Sequence, residues 1–205
     1  MRAWPRAALM AAIVAGDVAG DRVAQAQSVR EPEPTTWAGI GFVLVPEGTL
    51  TVEDPYGHDR IPLQTAYGVE LVGVRALLPR LEGVVAPRLL FDIAPEGAIE
   101  TMKQLDLRLG LRGGAPLTPT LAVYGYGTAG YSILEFRETS GATARPSGLS
   151  LGAGVGIGYR VNPLAMVTLS IGYELGFQRW HPTGYTVNFE HDHLDVTGGL
   201  QFALN

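Results

Sequence analysis

The 205-residue chain contains no cysteine. Disulfides, a thiolate nucleophile and a cysteine-ligated zinc site are all excluded. Charge is sparse, with 15 basic residues against 20 acidic ones. No basic stripe is available to neutralise phosphates, so a nucleic-acid partner is not expected. Beyond the N-terminal region, long apolar runs are also missing. None reaches the 18 or more residues that a transmembrane helix needs. If the chain enters a membrane, it must do so as a closed barrel, because only a helix or a closed sheet satisfies every backbone polar group in hydrocarbon.

What the chain does have is glycine, 27 residues of it, with frequent proline and tyrosine. That is far from the composition of a helical bundle. The first residues read as a secretory signal. Arg2 and Arg6 form a positive start, "AALMAAIVAG" is a short apolar core, and "AQA" at 24–26 offers small residues for cleavage. The expected cut lies between Ala26 and Gln27. Residues 1–26 are then the signal peptide and 27–34 an extended periplasmic lead-in rich in Pro and Glu. The remaining chain, 35–205, is the folded domain.

In "KQLDLRLGLRG" (103–113), leucines take positions 105, 107, 109 and 111, and Gln104, Asp106, Arg108, Gly110 and Arg112 take the even ones. Strand side chains alternate faces with period 2, so this segment is a strand with one apolar and one charged face. Seven other stretches alternate in the same way: 35–45, 65–78, 84–93, 120–134, 148–161, 164–178 and 193–204. In 35–45 the even positions Ala38, Ile40, Phe42 and Leu44 are apolar, and 84–93 sets Leu89, Phe91 and Ile93 against Arg88 and Asp92. The second half of 65–78 is apolar on both faces. Most of these runs are as long as the strands that cross a bilayer at a tilt, and longer than the five or six residues usual in soluble proteins. The connections alternate between long and short. The long ones, at 46–64, 135–147 and 179–192, all fall on one side, as they do in outer-membrane barrels. The expected fold is an all-β, eight-stranded, antiparallel up-and-down transmembrane β-barrel.

"AVYGYGTAGYS", "GLSLGAGVGIGYRVNPLAMVTLSIGYELGF" and "LDVTGGLQFAL" resemble the small eight-stranded outer-membrane barrels of Gram-negative bacteria, the OmpA/OmpX-like group. The resemblance covers nearly all of 35–205. It implies an outer-membrane location, outer-membrane lipid as surroundings and the insertion machinery as an assembly partner. In that family the last strand usually ends on an aromatic residue. Here Phe202 is followed by Ala203, Leu204 and Asn205. The peptidoglycan-binding domain of OmpA-type proteins has no counterpart in the sequence and is not carried over.

An eight-stranded barrel is just wide enough for its side chains to fill. Glu70, Arg88, Asp92, Asp106, Arg108, Arg112, Glu174 and Asp195 occupy the polar faces and are expected to form a salt-bridged interior network. Gly152, Gly154, Gly156 and Gly158 form a strip over which Tyr124 and Tyr126 are expected to pack. "GYGTAG" (125–130) matches a dinucleotide fingerprint, but strand pattern continues after it where a helix would have to start. No cofactor is expected. His58, His181, His191 and His193 fall in or beside the long loops. "HDH" at 191–193, with His181, could hold a metal, although exposed loop histidines are the simpler account.

These features point to a non-enzymatic barrel with a filled interior and a structural or surface-interaction role, meeting an extracellular partner through its loops. Two rival readings remain open. One is a soluble periplasmic barrel that binds an apolar ligand. The other is a lipid-modifying outer-membrane enzyme.

Overall fold

A computed structural model describes residues 35–91, 93, 99–138, 141–182 and 184–204. The expected signal and lead-in, with Ala26 and Gln27, lie outside the described residues, and so does Asp92. Among the described residues ten strands run in order: β1 (Thr36–Asp54), β2 (Gly57–Leu63), β3 (Ala66–Leu78), β4 (Leu81–Phe91), β5 (Ile99–Pro116), β6 (Leu121–Glu138), β7 (Thr143–Ala144), β8 (Ser147–Asn162), β9 (Ala165–Trp180) and β10 (Val187–Leu204). Eight of them form one antiparallel ring, β1-β3-β4-β5-β6-β8-β9-β10, closed by the pairing of β10 with β1. β2 pairs only with the distal half of β1, and the two-residue β7 only with the end of β6.

The side-chain pattern is inverted relative to a soluble protein. Leu105, Leu107, Leu109 and Leu111 face outward, with Leu107 56 % and Leu109 59 % exposed, while Asp106 on the same strand is fully buried. Ile40, Phe42, Val69, Leu71, Leu149, Leu151, Val155, Ile157, Leu169 and Ile171 continue the outer apolar surface round the ring. Tyr67, Phe91 and Phe177 stand toward its loop end, and Tyr159 and Phe202 toward its turn end, as aromatic girdles do at membrane interfaces. A sheet that turns its leucines out and its charges in is built for lipid. That excludes the soluble barrel with an apolar interior.

Short turns join the strands at one end. The β3–β4 turn has Pro79 followed by Arg80 at φ 70°, a backbone suited to a type II turn. At the β8–β9 turn, Asn162 Oδ1 accepts a hydrogen bond of 2.8 Å from the Leu164 N–H. The opposite end differs from the sequence expectation. Much of the expected loop 46–64 is strand, because β1 runs on to Asp54 and folds back as β2. The expected loop 179–192 is likewise shortened, because β10 begins at Val187. The irregularity in the β1–β10 register between Leu44 and Glu47 brackets Pro46, which has no N–H to give a ladder. The extra residue shifts the inward phase from odd positions (Val43, Val45) to even ones (Leu50).

Three tiers fill the barrel. An apolar cluster, including Val43, Leu50, Leu63, Leu90, Ile93, Met102, Leu134, Phe136 and Phe189, occupies the loop end. Charged and amide side chains hold the middle, and tyrosines and glycines lie toward the turns. The apolar tier adds to the expected ion-paired and tyrosine–glycine interior. It corrects Ile93, which is buried with Leu90 and not outward with Leu89, because β4 ends at Phe91 and the alternation stops there. In the half of β3 that was apolar on both faces, Val74 is buried inward opposite Trp37, and Leu77 faces out.

A charge placed on the outer face near the midplane has neither water nor a partner. Leu107→Arg and Leu109→Arg should each destabilise the barrel by about 2–4 kcal/mol, read from unfolding in lipid.

Candidate functional site: the filled lumen

Arg88 on β4 occupies the centre of the middle tier. Its Nη2 donates to Asp106 Oδ2 of β5 at 2.9 Å, and its Nη1 donates to Asp195 Oδ2 of β10 at 3.1 Å. Nη2 also contacts Glu174 Oε2 of β9. Glu174 Oε2 accepts in addition from Arg108 Nη1 at 3.2 Å, and Arg108 Nη2 pairs with Glu70 of β3. Gln104 Nε2 donates to Glu174 Oε1 at 2.9 Å and to Asp106 Oδ1 at 3.0 Å. Side chains from β3, β4, β5, β9 and β10 are thereby tied across the lumen. Removed from water, each charge depends on these partners.

Arg112 lies nearer the turns. Its Nε donates to Glu82 Oε2 at 2.6 Å, and its guanidinium stands 4.9 Å from the centre of the Tyr124 ring. Tyr124 lies opposite Gly156 and Tyr126 opposite Gly154 in the β6–β8 ladder. A Cβ at Gly154 would come within 2.5 Å of Tyr126 Oη, and one at Gly156 within 2.5 Å of Tyr124 Cζ. The tyrosines therefore occupy space that only glycine leaves free. At Gly152 the neighbour is Thr128 Oγ1, and at Gly158 it is Met166 Sδ. A cavity of about 60 Å³ remains between Glu70, Arg108, Arg112, Tyr124, Tyr126 and Asp195, room for a small number of waters.

Glu70, Arg88, Asp106, Arg108, Glu174 and Asp195 are thus brought into one cluster, while Arg112 joins a separate pair with Glu82. Sequence reasoning did not place Gln104, Glu82 or Gln178 in the network, and it took His191 and His193 for exposed loop histidines. The two histidines are not exposed loop residues. They lie on β10, 2 % and 1 % exposed, with rings stacked 5.4 Å apart. His58 and His181 are exposed and apart from them. The signal was present: positions 191 and 193 share the odd parity of inward Asp195, and the alternation had only to be continued back toward the N-terminus. "GYGTAG" lies wholly within β6, where strand continues to Glu138.

No family model matches the sequence, and no curated protein matches it. Solved structures do match the fold. The outer membrane protein OprG from Pseudomonas aeruginosa aligns with a TM-score of 0.62 at 14 % identity, covering 84 % of this chain and 97 % of that one. The chain has the fold of the small outer-membrane β-barrels. Neisserial surface protein A aligns with a TM-score of 0.55 at 10 % identity, covering 82 % of this chain and 97 % of that barrel. At these identities the likeness extends to the eight-stranded outer-membrane architecture and no further. What this barrel does must be read from its own lumen and loops.

Removing Arg88 takes a guanidinium away from three buried carboxylates at once, and Asp195 loses its ion-pair partner. Arg88→Met should lower the unfolding free energy in lipid by about 3–5 kcal/mol. Arg145 pairs with Glu135 at 2.7 Å on the exposed loop side, and Arg145→Met should change stability by no more than about 0.5 kcal/mol.

Proposed function

We propose that the chain is a closed, non-enzymatic barrel anchored in the outer membrane, which presents its distal hairpin and loops as a surface for an extracellular partner. The observation that carries this reading is the filled lumen. An apolar tier sits above an ion-paired tier, and the residual cavity is no larger than a few waters. Such an interior suits an anchor and not a conduit.

The distal surface supports the rest of the reading. The β1–β2 hairpin extends the sheet past the start of β3, so it stands clear of the ring on that side. Its turn is preorganised, since Asp54 Oδ1 accepts hydrogen bonds of 2.8 Å from the N–H groups of Tyr56 and Gly57. Tyr56 at the tip is 87 % exposed and meets Tyr185 of the β9–β10 connection edge-on, with ring centres 6.2 Å apart. Exposed tyrosines on a held turn are the kind of group that anchors protein interfaces. The rival reading as a lipid-modifying enzyme calls for a base on the lipid-facing rim. His191 and His193 of β10 turn into the lumen instead.

In a planar bilayer, the purified barrel should give no large, steady conductance. A stable open channel from the monomer would overturn the closed-barrel reading. Topology has its own test. Gly141 and Gly184 are exposed, at φ 85° and 97°, with open space around them. Epitope tags inserted there should be reached by antibody on intact cells, and a tag between Asn162 and Leu164 should be reached only after permeabilisation.

A further inference from the structure

The ion-paired tier does not balance. Among the described residues of the cluster, Glu70, Asp106, Glu174 and Asp195 face only Arg88 and Arg108. Two negative charges are left over in the interior of a barrel. Beside them stand two buried imidazoles with unused nitrogens. Neither ring nitrogen of His193 has a hydrogen-bond partner, and neither has Nε2 of His191. Buried polar atoms are normally satisfied, so this concentration of orphans beside excess negative charge calls for an occupant.

We infer that Glu174, His193 and Asp195 form a binding site for one divalent cation of the zinc class, with His191 Nε2 available as a fourth donor. One ligand atom from each of the three residues lies within 4.8 Å of the others. Ligand atoms around tetrahedral zinc stand roughly 3.4 Å apart, so small rotamer adjustments close the set. His191 is already oriented. Its Nδ1 is 3.1 Å from Gln178 Oε1, and a proton donated there leaves a lone pair on Nε2, which lies 3.9 Å from Glu174 Oε1. Metal-ligating histidines are commonly fixed in this way, through the other ring nitrogen. Mixed imidazole and carboxylate donors suit zinc and its first-row neighbours better than magnesium or calcium, which take oxygen ligands. A dication also cancels the two surplus charges. Protonating both histidines would cancel them too, but it would put two like charges on rings stacked 5.4 Å apart. The residual cavity touches Asp195 on the turn side of the cluster. Once bound, the ion would fasten β9 to β10.

The test uses the whole barrel, purified from membranes in detergent and stripped with a chelator. After equilibrium dialysis against Zn²⁺, metal analysis should find one ion per chain, retained through gel filtration. His193→Gln breaks no hydrogen bond of the native structure, so it should fold, as judged by heat-modifiability on a gel. It should weaken Zn²⁺ binding roughly tenfold or more. His181→Gln, at an exposed loop histidine, should bind as the parent does. Substoichiometric uptake by the parent, or undiminished binding by His193→Gln, overturns the site. If His193→Gln does not fold, Co²⁺ added to the parent decides. Intense visible bands of a tetrahedral, histidine-bound ion are expected, and the pale spectrum of aqueous cobalt overturns the proposal.

Discussion

The hydrogen bonds between β10 and β1 are the constraint on which the rest of this molecule depends. A sheet in hydrocarbon cannot leave an edge of unpaired N–H and C=O groups. The register from Thr36↔Leu204 through Leu44↔Val196 removes that edge. Once the ring is closed in lipid, the outer face must be apolar and the inner face is cut off from bulk water. Every outward leucine and every inward charge follows from that division. So does the need for Arg88 to find its carboxylates within the ring.

Eight strands leave little interior, and this chain distributes it by chemistry. β6 and β8 line their turn-side half with tyrosine on glycine. β4, β5, β9 and β10 line the middle with charge. The distal ends of β1, β4, β5, β6 and β10 contribute to the apolar tier. The tiers need one another. Eight strands surrounding charges alone would require water to solvate them, and eight surrounding only apolar groups would offer no orientation to the strands. Arg88 provides that orientation, because one planar fork reaches three strands at fixed angles.

Much of this was legible in the sequence because alternation survives translation into structure without loss. The leucines at 105–111 and the charges between them, the glycine strip of β8 and the opposing tyrosines of β6 all follow from parity alone. Parity failed where the backbone breaks it. The irregularity at Pro46 moves Leu50 into the phase that faces the interior. Ile93 continues the parity of Leu89 and Phe91 but lies beyond the end of β4. At His191 and His193 parity held, and the polar, turn-like "HPTGYTVNFEHD" concealed it. Polar residues in a barrel strand look like loop residues when the interior itself is polar.

The cluster also has a history along the chain. Arg88 meets Asp106 only 18 residues away, and Arg108 meets Glu70 at 38. The strands β3 to β5 therefore carry a neutral set of two cations and two anions. Glu174 and Asp195 lie 86 and 107 residues beyond Arg88. They arrive on the last two strands with no guanidinium of their own in the cluster. Contacts so distant in sequence form late and slowly. In a nascent barrel the N-terminal strands would hold a positive fork directed at an incomplete wall, and the C-terminal hairpin would bring the carboxylates that answer it. Ring closure in the native register thus adds the contacts of Arg88 with Glu174 and Asp195 to the ladder bonds at the seam.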